Sequence, residues 1–108
     1  MDAALKAIAE PNRRRILSLV ASKEMTAGEI AAHFDISRPA ISQHLGVLKE
    51  AGLLDERREG TRRVYRARPE GLAGLRQWLE DFWKQGLELL KSAAEFEERR
   101  RRGREGNQ

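Results

Sequence analysis

Cysteine is absent from the 108-residue sequence, which excludes disulfides and thiolate metal sites and leaves no sign of an oxidising compartment. Histidine is scarce, with only His33 and His44 present. No apolar run approaches the length of a membrane span, and Met1-Asp2-Ala3-Ala4 lacks the basic start of a signal peptide. A cytoplasmic location is therefore expected. Groupings that carry catalysis are missing too: Ser37, Ser42 and His44 crowd into one short segment, no paired carboxylates fall on an apolar face, and no glycine loop suits phosphate. Neither an enzymatic activity nor a cofactor is expected.

Positive charge is present and unevenly placed. The formal net charge is +4 and the isoelectric point is about 10.0, a balance that favours polyanions but also describes many soluble proteins. Residues 38–68 carry Arg38, Lys49, Arg57, Arg58, Arg62, Arg63, Arg66 and Arg68 against Glu50, Asp55, Glu56 and Glu59, whereas residues 70–95 have an acidic excess. One region thus concentrates the cations, as a nucleic-acid footprint does.

Met1, Ala4, Leu5 and Ile8 recur at the spacing of a short amphipathic helix, and Pro11 ends it by restricting Glu10 away from helical angles. Pro11 opens a second helix with Ile16, Leu17, Val20 and Ala21 inward and Asn12 and Arg13 to Arg15 outward. Thr26-Ala27-Gly28-Glu29 matches a capping box and predicts a third helix running to about Phe34. Asp35-Ile36 leaves room only for a tight turn before Ser37, a second N-cap ahead of Pro39. Two helices joined this closely make a helix-turn-helix. In the second of them Ile41, Leu45 and Leu48 share a face, while Arg38, Ser42, Gln43, Gly46 and Lys49 fall on the other, a set suited to base edges and phosphates. Gly52 ends that helix, after which Leu53 to Arg58 and Arg62 to Arg68 read as strands turning at Glu59-Gly60-Thr61.

From Pro69 the helical pattern returns, and apolar residues from Leu72 to Phe96 cover roughly half of the helix circumference. A helix from Pro69 to Arg99 would be roughly 45 Å long, longer than a domain of this size is wide, so part of it needs an external partner. Gly86 lies mid-stripe, where a second backbone can come close, and Gly71 and Gly74 loosen the first turns. Trp78, Phe82 and Trp83 belong to this stripe and are expected at a core or interface rather than in a ligand pocket. The last helix is read as a dimerisation helix. In the end segment, Glu95, Glu97 and Glu98 stand four residues before Arg99, Arg101 and Arg102. That orientation predicts a solvated, fraying helix end with nothing ordered after Gly103.

This order of four helices, a hairpin and a long helix resembles the ArsR/SmtB family of winged-helix repressors. Ala9-Glu10-Pro11-Asn12-Arg13-Arg14-Arg15-Ile16-Leu17, the run from Ser37 to Leu54, and Arg58-Glu59-Gly60-Thr61-Arg62-Arg63-Val64-Tyr65 carry the likeness, which spans about residues 3 to 95. The resemblance implies a mainly α, winged helix-turn-helix fold, assigned to residues 1–98; the basic run beyond it, 99–108, is read from its charge as a disordered tail. It further implies a homodimer clasped through its first and last helices, binding an inverted-repeat operator in double-stranded DNA and repressing transcription, with autoregulation as one form of that role. Candidate DNA contacts are Arg38, Pro39, Ser42, Gln43, His44, Lys49, Arg57, Arg58, Arg62 and Arg63; candidate interface residues are Leu5, Ile8, Leu75, Leu79, Phe82, Trp83, Gly86 and Leu90. For His44, a structural role beside the buried edge stays open, as does a merely solubilising role for the hairpin arginines.

Metal-sensing members of the family carry two cysteines at the start of the third helix, where this chain has Thr26 and Gly28. A second family site uses aspartate and histidines on the last helix, yet both histidines here lie upstream of it. The chain is therefore similar to the metal-independent branch, and no metal partner is expected. The alternative function is a winged-helix scaffold or antirepressor that binds protein and not DNA.

Overall fold

A computed structural model describes residues 1–106. The order of elements is α1 (Asp2–Ala9), α2 (Pro11–Ser22), β1 (Met25–Thr26), α3 (Ala27–Ala31), α4 (Arg38–Glu50), β2 (Leu54–Glu59), β3 (Arg62–Ala67) and α5 (Pro69–Gly106). Two units result, residues 1–75 and the remainder of α5 from Arg76.

Local chemistry sets most of the boundaries in the first unit. Glu10, extended at φ −91° and ψ 126° ahead of Pro11, separates α1 from α2. Its carboxylate also accepts the Arg13 N–H at 2.9 Å, so it caps α2. The capping box at α3 is complete: Thr26 Oγ1 accepts the Glu29 N–H at 3.1 Å and Glu29 Oε1 accepts the Thr26 N–H at 3.2 Å. Ser37 Oγ accepts the Ala40 N–H at 3.2 Å and starts α4. Gly52 (φ 78°) and Gly60 (φ 64°) take the left-handed conformation that stops α4 and turns the hairpin.

Several expectations change in this unit. Helix α3 ends at Ala31, not near Phe34, because the N–H groups of His33 and Phe34 bond three residues back, to Ile30 and Ala31, in tightened turns. Strand β1 was not foreseen. It pairs antiparallel with β3 through Met25 opposite Tyr65 and Thr26 opposite Val64, which makes a three-stranded sheet of order β1-β3-β2 out of the expected hairpin. Ala21, expected inward, is exposed.

The core of residues 1–75 gathers Ala4 and Ala7 from α1, Ile16, Leu17 and Val20 from α2, Ile30, then Ile41, Leu45 and Leu48 from α4. Leu53, Leu54 and Tyr65 close it from the sheet side. Leu75, read as an interface residue, belongs to this core and is 6% exposed. Burial of seven large aliphatic side chains below 2% exposure at about 1.5–3 kcal/mol each supplies the main driving force. Gly71 does more than loosen a turn: a Cβ there would lie 1.9 Å from the Gly52 carbonyl oxygen. The start of α5 therefore passes against the end of α4 at a distance only glycine allows.

Beyond Leu75, α5 presents Trp78, Leu79, Phe82, Trp83, Leu87, Leu89, Leu90 and Phe96 at 36–72% exposure. Trp78 and Phe82 stack with ring centroids 5.2 Å apart. The helix runs on through residues 99–106 to Gly106, past Gly103, where order was expected to end; residues 107–108 lie outside the described range. Pairs one turn apart support that extension, with Arg102 donating to Glu98 at 2.7 Å and Arg100 lying 3.6 Å from Glu97.

Candidate nucleic-acid interface

The cap at Ser37 fixes where α4 begins, and the burial of Ile41, Leu45 and Leu48 then fixes its rotation. Arg38, Pro39, Ser42, Gln43, Gly46, Val47 and Lys49 are left exposed. Arg38, Ser42, Gly46 and Lys49 form one wall of a cleft of about 660 Å³, whose opposite sides are Thr26 to Gly28 at the start of α3 and Thr61, Arg62 and Arg63 at the hairpin turn. The sheet register delivers the second group: Arg58 pairs with Arg63 and Glu59 with Arg62 across a tight turn. Five of the residues singled out in the sequence, Arg38, Ser42, Lys49, Arg62 and Arg63, therefore line a single concave surface. Gln43 lies on the neighbouring flank of α4, beside Ala3, Lys6 and Val47. Arg58 is exposed on β2.

Two candidate contacts have partners within the protein, and for His44 this is the structural role left open above. His44 turns toward the start of α2, with Nδ1 3.7 Å from Glu10 Oε2 and 3.4 Å from Arg13 Nη1. It is a tie between α4 and α2, held there because its position borders the buried edge of its helix. Partial desolvation raises the Glu10 pKa, but the Arg13 and Asn12 N–H groups and the charges of His44 and Arg13 outweigh it and hold the carboxyl below the usual range. Arg57 forms a fork with the Glu24 carboxylate and donates to Glu59 at 3.0 Å. Hydrogen bonding to Arg57 lowers the Glu24 pKa, and the two carboxylates raise that of the guanidinium. Arg57 therefore links β2 to the segment before β1.

The arginines opening α2 face outward as expected, with Arg14 and Arg15 exposed, and also bond to the backbone of neighbouring segments. Arg13 Nε donates to the Ala7 carbonyl at 2.6 Å and Arg14 Nη1 to that of Ile8 at 2.7 Å, so both satisfy the open end of α1. Arg15 donates to the His33 carbonyl at 3.1 Å and stacks 4.5 Å from the Phe34 ring centroid.

Glu56 and Tyr65 were overlooked as members of the site. They stand opposite each other in the β2–β3 register, and the Tyr65 hydroxyl donates to Glu56 Oε2 at 2.9 Å. Burial, then the bond to Glu56, raises the Tyr65 pKa. The available signal was alternation along the two strands, which puts both residues on the face toward α4 once the turn is placed at Gly60. Elsewhere in the described residues, no three His, Asp or Glu side chains converge as metal ligands, and no helix is long and apolar enough to cross a membrane.

Residues 10–56, from the cap of α2 into β2, match the family described as bacterial regulatory protein, arsR family. An HTH-type transcriptional regulator of Mycobacterium tuberculosis is 48% identical over 86 residues, 80% of this chain and 80% of that protein. The transcriptional repressor SdpR of Bacillus subtilis is 41% identical over 86 residues, 80% of this chain and 96% of the relative. This chain belongs to the ArsR family. Solved structures agree with the membership. A crystal structure of a possible transcriptional regulator for arsenical resistance superposes with a TM-score of 0.70 at 52% identity, covering 74% of this chain and 83% of that one. The homodimeric winged helix-turn-helix DNA-binding domain of a possible ArsR-family regulator from Mycobacterium bovis gives 0.63 at 33% identity, covering 78% of each. The ArsR-family chain is accordingly a winged helix-turn-helix regulator rather than an enzyme, with α3 and α4 as the helix-turn-helix and β2–β3 as the wing.

Proposed function

We propose that this protein is a homodimeric repressor that binds an inverted-repeat operator in double-stranded DNA and needs no metal to do so. The observation that carries the reading is the cleft itself: cations from α4 and from the wing line one concave surface. A helix with small polar side chains and an exposed amide fits the major groove, where Arg38 suits guanine, and Gln43, helped by Ser42, suits adenine. Lys49, Arg58, Arg62 and Arg63 flank it as phosphate partners, supplying affinity that is independent of sequence. Pro39 stands at the tip of α4 and adds an apolar contact surface.

Dimerisation is supported by the uncovered apolar face of α5 and by the name of the Mycobacterium bovis relative. Leu79, Phe82, Trp83 and Leu90 would cover one another between two copies, with Gly86 admitting close backbone approach, and Leu5 and Ile8 extending the contact from α1. Two such subunits bring their recognition helices to half-sites about 34 Å apart. The repressive direction follows the name of the Bacillus subtilis relative, and autoregulation is its simplest form. For the metal-free reading, the support is the lack of thiolates in the sequence and of a converging ligand set among the described residues.

The test is footprinting of the purified protein on the DNA upstream of its own coding sequence, with and without zinc or arsenite. Protection of an inverted repeat, unaltered by either, is the expected result. A protein that binds no duplex at any salt concentration would instead favour the scaffold reading.

A further inference from the structure

Glu56 is a carboxylate at the floor of a cleft otherwise suited to anions. Its side chain is 19% exposed, against 52% for Lys49 and 58% for Arg63 at the rim. Oε2 lies 3.7 Å from Lys49 Nζ on the last turn of α4 and accepts the Tyr65 hydroxyl at 2.9 Å, while Oε1 lies 3.6 Å from Arg63 Nη1 on the wing. One carboxylate thus faces one cation from each DNA-facing element, and a tyrosine that is 5% exposed pins it from below. Glu50 also lines the cleft, but it is exposed and forms no ion pair among the described residues.

We infer that Glu56 restrains sequence-independent DNA binding, by offsetting the charge of Lys49 and Arg63 and holding both in a single arrangement between α4 and the wing. This rests on the DNA-binding reading above. A phosphate reaching either cation also meets the carboxylate behind it, so part of the electrostatic attraction is spent before any base is read. On a cognate sequence the base-edge contacts of α4 add to that reduced term, and the fixed cation positions match one register of phosphates. Random DNA offers no such compensation. The charge offset is common to both and cancels in their difference; the fixed cation placement, matched to the cognate phosphate register, is what widens the gap between cognate and random sequences, the quantity that matters among many competing sites.

The experiment compares Glu56→Gln with wild type on a random-sequence duplex and on a duplex selected from a random library by the wild-type protein. Glutamine keeps an oxygen for the Tyr65 hydroxyl, and a thermal melt checks the fold. Expected for the variant on random duplex are about three- to tenfold tighter binding and a log–log salt slope steeper by about one unit, as for one regained phosphate contact. On the selected duplex the change should be less than about twofold, so discrimination narrows. In a Lys49→Gln background the gain from Glu56→Gln should shrink, since one of the released cations is gone. Glu88→Gln, the same charge change on an exposed position of α5, should show neither effect. Equal tightening on both duplexes, no tightening on random DNA, or the same gain in Glu88→Gln would overturn the role of Glu56. Failure of the wild type to bind any duplex would overturn the DNA reading itself.

Discussion

Ile16, Ile30, Ile41 and Leu48 in residues 1–75 are at most 1% exposed, whereas Trp83, Leu89 and Leu90 further along α5 are 67–72% exposed. The apolar residues are of the same kind and recur at the same helical spacing in both regions. What differs is the company they keep. In the first region four helices, the first turns of α5 and a sheet converge, so each apolar face meets another, and no buried side-chain polar atom among the described residues lacks a hydrogen-bond partner. In the second there is one helix, and a lone helix has nothing to close against. An uncovered stripe of that extent marks an interaction surface, not a defect of folding. The comparison teaches that amphipathicity shows that a face will be covered, without showing by what.

The comparison breaks most visibly in a pair of substitutions with opposite consequences. Leu79→Glu should abolish dimerisation in sedimentation experiments and reduce operator affinity by about a hundredfold or more, while barely lowering the thermal stability of residues 1–75. Leu48→Ala should do the reverse, costing about 2–5 kcal/mol in denaturant unfolding with little change in the association of whatever remains folded. If Leu79→Glu still sediments as a dimer, the exposed face is not the interface.

Gly71→Ala probes the close crossing within the first region. Its new methyl would collide with the Gly52 carbonyl, so a loss of about 1–3 kcal/mol is expected in chemical denaturation. Wild-type stability would show that α5 can start from a different position. Gln43→Ala should cost roughly 1–3 kcal/mol on the selected duplex and little on random DNA; equal losses would make Gln43 a phosphate contact. Smallest, Thr26→Ala removes the cap of α3 and should lower stability by about 1 kcal/mol. The Glu29 carboxyl is held below its usual range chiefly by the Thr26 N–H and hydroxyl, so in wild type this contribution is present above the ordinary carboxylate pKa and is lost as pH falls through the lowered one. The variant should show less of that acid dependence.

Much of the site could be read directly because its signals are local. Thr26 with Glu29, Ser37 with Pro39, and Gly52 and Gly60 each act within four residues, so the positions of α3, α4 and the wing follow from neighbours in the chain. Arg38, Ser42, Lys49, Arg62 and Arg63 could then be assigned to one face. Other features were not legible. The two residues of β1 have no periodicity, and they form a strand only because β3 offers them an edge. Arg13, Arg14 and Arg15 read as an outward-facing run, but nothing local names their partners, carbonyls at the end of α1 and at His33.

Determined by the sequence alone, then, were the capped helix-turn-helix, the basic wing beside it, and the surplus apolar width of the last helix, since each depends on periodicity or on side chains reaching their own backbone. Only the tertiary structure decided which charges pair within the protein. Arg57 and Arg62 are equivalent in any reading of composition, but Arg57 is held by Glu24, thirty-three positions away, while Arg62 lines the open cleft. His44 and Leu75 went inward for the same reason, and Glu56 came to sit between Lys49 and Arg63. Charge and hydropathy are properties of a residue, whereas pairing and burial belong to the neighbours that folding brings to it from distant parts of the chain.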